Sequence, residues 1–455
     1  MRLAPGPLAF HHVKAFHTLF PLVAALGLSS AVAAGAPNAP LPPSGLRYDV
    51  DYPVIGYFQT PVDNEIARLQ ARLDRGEVVL EFSAPRGYLD SLLKALRIDP
   101  SSQVLVYSKT SLQFRQIRAA TPRAIYFNDD TYVAWVQGSD LLEVATMDST
   151  RGAVFYTLPN HRVASPRAQR ETFTCLSCHD TFSLTGGGVP RFLLLSGMVN
   201  ADGALLPRQI STETDDRTPL SERWGGWYVT GQHEGQVHRG NMMPRSPAEL
   251  LDMERARRGN LATLDALFDT RPYLSNRSDI VALLVLEHQL YIKNLITRLN
   301  FKTRSFLARE AQQRSLAQIR WQDTSPVTRR SLQQMMDQLV EAMLFAHAAP
   351  LTGRIQGGAG FERSFERLGP RDASGRSLRD FDLQRRLFRY PLSYVIYSEG
   401  FDALPQPTRA YLYRRLAVIL TDLDRSATFA HLSATDRQAI LQILTATKAD
   451  FARSL

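Results

Sequence analysis

Cys175 and Cys178 are the only cysteines in the 455 residues, and His179 follows the second of them directly. Two thiols at this spacing serve three chemistries. A redox pair cycles between dithiol and disulfide at the start of a helix that follows a strand, yet no βαβ pattern precedes Cys175. A structural zinc site takes four ligands, usually from two such pairs. With no further cysteine, His161, His233 and His238 are the residues left to complete one. The third chemistry is covalent attachment of a c-type haem, for which Cys-x-x-Cys-His is the signature. Each thiol adds to a vinyl group of the porphyrin and the histidine ligates the iron. One helical turn sets both sulfurs along one edge of the macrocycle and carries the next side chain under its centre. This use consumes both thiols and leaves none to misoxidise.

Haem attachment of this kind is completed outside the cytoplasm, and the N-terminus reads as an export signal. Arg2 and Lys14 accompany an apolar run from Leu19 to Leu28, and Ala31-Val32-Ala33 has the small-x-small pattern of a cleavage site. Residues 1–33 are therefore expected to be a signal peptide and the mature protein periplasmic or otherwise exported. The run is about ten residues, short of the roughly 20 that a spanning helix needs. No later stretch reads as a membrane span, so the mature chain is expected to have no transmembrane segment.

Through Cys175, Leu176, Ser177, Cys178 and His179 the sequence resembles the c-type cytochromes. The resemblance implies one covalent haem c held by Cys175 and Cys178, His179 as the proximal iron ligand, electron transfer to a redox partner protein, and a second axial ligand downstream. It covers about five residues. The rest of the chain resembles large secreted bacterial haemoproteins with a single such motif, from which no activity carries over. Small cytochrome c domains are all-helical with the motif near the N-terminus; here the motif lies far into the chain between β-rich stretches, and that fold is not expected.

A haem with two strong protein ligands moves electrons, whereas an open sixth position also activates small molecules. "WGGWYVTGQHEGQVHRGN" places His238 and His233 among two tryptophans and several glycines, a composition that lets backbone approach a flat ring. Met243, before Pro244, stands where small cytochromes carry a Met-Pro ligand. His238, His233 and Met243 are the distal candidates, in that order. His288, on an otherwise apolar helical stretch, reads as a satisfied core residue; His347 and His431 are further histidines. Arg191 and Arg239 are candidates to pair with haem propionates. An open distal site would instead make the protein a peroxidase- or oxidase-like haem oxidoreductase.

The elements that must hold these residues divide by pattern, and the expected class is α+β. Residues 34–51, with "PNAPLPP", read as a proline-rich linker. Residues 52–165 form a mixed α/β-meander module: helices near 66–73 and 88–96, a strand at "VVLEF" (78–82), then "QVLVYS", "AIYFN", "TYVAWVQ", "LLEVATM" and "AVFYTL" between turn residues. Residues 166–245 are the haem-binding segment of short strands and loops. From 246 to 455 the apolar period is helical, with a long core helix capped by Ser278 or Asp279 and further helices, including one across 382–401.

The formal net charge is +9, and its excess lies wholly beyond residue 244, almost all of it arginine. That is the pattern of a solvated basic face, or of a surface for an acidic partner or anionic membrane. No basic run interleaves with aromatics, so nucleic acid is not an expected partner. No phosphate loop, HExxH, nucleophile elbow or paired-carboxylate signature is present; "TGGGVP" lacks the lysine of a phosphate cradle.

Overall fold

Alternating apolar side chains and tight turns make residues 104–159 a meander. In the computed structural model, which describes residues 50, 52–181, 188–246, 248–249, 260–358 and 360–455, its strands are β1 (Val104–Val106), β2 (Arg123–Phe127), β3 (Thr131–Trp135), β4 (Leu141–Asp148) and β5 (Gly152–Pro159). The expected signal peptide and all of the proline-rich stretch but Val50 lie outside the described residues. β6 (Gln169–Arg170) pairs with β5, and a strand from much later in the chain, Trp227–Tyr228, pairs with β1. With β7 (Leu195–Ser196) and β8 (Thr212–Glu213) forming a separate ribbon, Trp227–Tyr228 is β9. The main sheet is antiparallel, in the order β6-β5-β4-β3-β2-β1-β9.

Strand alternation gives the sheet two buried faces. Leu142 and Val144 of β4 and Val154 and Tyr156 of β5 face helices α1 (Glu65–Asp74) and α2 (Leu89–Ala95). On the other face, Ala153 and Phe155 pack with the long helix α4 (Ile280–Gln313) and the C-terminal helices, among them α5 (Pro326–Met343). A short helix, α3 (Leu176–His179), lies between these in sequence. At Gly152 (φ +66°) a Cβ would meet Thr297 Cγ2 of α4 at 2.2 Å, so the turn and the close approach of helix to sheet both require glycine there. The described residues from Val50 to Leu455 belong to one compact unit.

Asp279, not Ser278, caps α4: its Oδ1 accepts from the Val281 and Ala282 amides at 2.8 and 3.1 Å. Ser278 joins sheet to helix, accepting from the Leu105 amide and donating to the Tyr228 carbonyl. Against the expectation that no later stretch is long and apolar enough to span a bilayer, α4 could cross a membrane by length and composition, but its apolar stretch is almost wholly buried in the protein core.

Two expected elements differ. "VVLEF" is irregular because no strand pairs with it; Leu80 is buried against α1 and α2 while Val79 faces solvent. Residues 382–401 are not a continuous helix. Phe381 and Phe388 form an antiparallel bridge, Pro391 removes an amide donor, and regular structure returns only as the short turns Tyr394–Tyr397 and Glu399–Asp402. Among the arginines of the C-terminal half, Arg379 is buried and pairs with Asp129, while the half-buried Arg386 and Arg415 pair with Asp436 and Asp424.

Candidate functional site

After β6 the chain makes one helical turn. The amide of Ser177 donates to the Phe173 carbonyl, that of His179 to Cys175 at 3.0 Å, and that of Asp180 to Leu176 at 2.9 Å. Ser177 Oγ ties the turn back to Thr174. Leu176 anchors it in the core between sheet and α4. Cys175 is half-buried against that core and Cys178 is exposed; both are free thiols. Phe173, two residues before Cys175, is 82 % exposed.

The thiols are not alike. Burial pushes the Cys175 thiol up to about 12, and the Glu143 and Glu171 carboxylates add to the rise. Redox cycling and metal ligation both need the thiolate, so this environment disfavours them and suits a sulfur that stays uncharged. Among the described residues no group of three or more His, Cys, Asp or Glu is placed to hold a metal ion.

His179 Nδ1 lies 2.7 Å from the carbonyl oxygen of Arg191, and the Arg191 amide donates to the His179 carbonyl at 3.1 Å. A carbonyl only accepts, so the proton is on Nδ1 and Nε2 presents its lone pair. Burial lowers the imidazole pKa, favouring that neutral form. Phe155 of β5 packs on the ring with centroids 4.4 Å apart. Two sulfurs on one helical turn beside a neutral imidazole oriented by a carbonyl form a donor set that fits covalent haem. The Arg191 carbonyl, Phe155 and Glu143 were not legible as neighbours in sequence. Arg191 drew attention for its guanidinium, which instead pairs with Glu213 at 2.7 Å.

The distal candidates lie elsewhere. The segment with His233 and His238 continues from β9, at the opposite edge from β6. With strands about 4.8 Å apart, β9 is roughly 24 Å across the sheet from β5. The two histidines do come together, with ring centroids 5.0 Å apart, and Trp224 packs on His238 at 5.6 Å. His238 Nδ1 accepts from the Gly240 amide at 3.0 Å, a polarity opposite to that of His179. Met243 packs with the α1/α2 core, on the other face of the sheet from Cys175 and Leu176. Among the described residues no hydrogen bond, ion pair or ring contact joins His233, His238 or Met243 to His179.

His288 is a core residue. Its Nδ1 is 2.7 Å from Asp216 Oδ2 and its Nε2 2.8 Å from Ser393 Oγ. The order is that of a serine-hydrolase triad, but His288 and Ser393 are fully buried, so the chain serves packing. His161 is exposed, His347 pairs with Glu341, and His431 bonds the Leu344 carbonyl. The chain matches no family model, no curated protein and no solved structure.

Proposed function

We propose that this chain is an exported monohaem c-type protein that transfers electrons to a redox partner. Cys175 and Cys178 are the attachment thiols and His179 ligates the iron through Nε2. The observation behind this is the bond from His179 Nδ1 to the Arg191 carbonyl, which leaves the lone pair on Nε2, in a residue that shares one helical turn with two sulfurs. Bound there, haem supplies a one-electron iron couple. The carbonyl of Arg191 orients the imidazole and strengthens its donation. Phe155 restrains the ring's rotation, and Leu176 fixes the turn on the core.

A second reading, a peroxidase- or oxidase-like enzyme with an open sixth position, is favoured by one observation: His233, His238 and Met243 are not placed against His179. One preparation tests both. Protein made with a c-type maturation system is expected to keep its haem through denaturing electrophoresis and acid-acetone extraction, and Cys175→Ala/Cys178→Ala to lose it. A wild type stripped of haem by acid-acetone sinks the proposal. In the retained pigment, a low-spin ferric spectrum supports the carrier, and a high-spin one shifts the assignment to the enzyme.

A further inference from the structure

The residues on either side of β9 bring together a cluster apart from the Cys175–His179 motif. His233 is 3 % exposed and neither of its ring nitrogens has a hydrogen-bond partner. Trp224 is fully buried and its indole N–H is likewise without a partner. Both rings bear on His238, at 5.0 and 5.6 Å. Buried polar groups are almost always paired, and those that are not point to an ion or water at the spot. Here two of them converge on one ring.

The backbone around the cluster is strained to hold it. Trp224 (φ +66°), Glu234 (φ +43°) and Asn241 (φ +66°) all adopt the left-handed conformation, which is a true outlier for a residue as bulky as tryptophan. Such strain collects at ligand clamps. The Arg239 amide donates to the Arg223 carbonyl at 2.9 Å, drawing together the two arginine positions that flank the cluster in sequence.

Hydrogen-bond polarity selects the ligand. His238 Nδ1 accepts from the Gly240 amide, so that nitrogen has no lone pair left for a metal ion. The Trp224 indole is donor only, and His233 in either tautomer offers one N–H and one lone pair. A metal ion needs lone pairs, of which this set has one to give. A water needs acceptors for its two hydrogens. A small anion accepts from every donor at once.

We propose that Trp224 and His233, packed together on the His238 ring, form a buried site for a small monovalent inorganic anion, a halide or an oxyanion of nitrate size. Bromide is the probe. Crystals grown in bromide are expected to show an anomalous peak within hydrogen-bond distance of Trp224 Nε1 and His233. In solution, the Trp224 indole signal in a ¹⁵N-correlated spectrum is expected to shift saturably with bromide. The same titration with nitrate separates a halide site from an oxyanion site. His233→Leu should weaken binding at least tenfold, and Trp224→Phe should remove the reporting signal while another anion-sensitive resonance loses saturation. A water at the site in bromide, or a crystal peak with no saturable shift in solution, overturns the proposal. Should both variants fail to fold, the wild-type titration decides alone.

Discussion

Two sulfurs one helical turn apart occupy different physical states. Cys178 faces solvent, whereas Cys175 is packed on the core near Glu143 and Glu171, and burial pushes its thiol up to about 12. Reaction with an alkylating agent proceeds through the thiolate. In the haem-free chain at pH 8.5, iodoacetamide should modify Cys178 at least about tenfold faster than Cys175, read by peptide mass spectrometry over time. Equal rates would show that Cys175 is not held as an uncharged thiol, and would restore the redox and zinc chemistries that need it charged. His179 and His238 make the matching contrast. One donates through Nδ1 to a carbonyl and the other accepts at Nδ1 from an amide, so the same residue type is prepared for opposite partners.

The long helix α4 positions most of what surrounds the motif. Asn294 clamps the segment after the motif, its side chain accepting from the Phe192 amide and donating to the Phe192 carbonyl. Gln289 donates to Tyr132 of β3 and accepts from Tyr394, which ties sheet, helix and C-terminal turns together. The start of this helix rests on Asp279, which caps it and also accepts from the Gly358 amide. Asp279→Ala removes a cap worth about 1 kcal/mol and leaves a buried amide unpaired at a similar further cost. Urea unfolding should therefore show a loss of about 2 kcal/mol, most of it recovered in Asp279→Asn. An unchanged midpoint would mean that α4 is held by side-chain packing alone.

At the scale of the molecule, the motif and the His233–His238 cluster sit at opposite edges of one sheet, with the α4 core between. Inside that core Arg223 and Glu287 form a buried ion pair at 2.7 Å, and Arg223 also donates to the Asp216 carbonyl beside His288. Burial pushes the Glu287 carboxyl up to about 7 even against its arginine, so the pair sits close to the limit at which desolvation outweighs attraction. Removing one partner strands the other. Glu287→Ala is expected to cost about 3–5 kcal/mol, and the double variant Glu287→Ala/Arg223→Met less than the single. A single variant within about 0.5 kcal/mol of wild type would show that the pair is solvated and not part of the core.

Elements whose character depends on their own residues were legible in sequence. β2 to β5 follow from alternation and turn residues, α1 from its apolar spacing, and the turn at 175–179 from the motif itself. The irregular course of 78–82 and 382–401 was not, because strand formation needs a neighbour to pair with, and a helical pattern can be broken by a proline and a cross-chain bridge. The same division holds for the site. Residue type and spacing singled out Cys175, Cys178 and His179 as candidates, and composition marked the segment with His233 and His238 as unusual. Which of them meet is a property of strand order. β9 joins the sheet beside β1 and not beside β5, since hydrogen-bonded pairing is satisfied at the free edge of β1 and sealed by Ser278. That choice carries Trp224, His233 and His238 together, away from His179. Sequence alone determined the chemistry each residue can perform; the tertiary structure decided their company, because contacts between distant segments are set by which edges and faces remain to be buried.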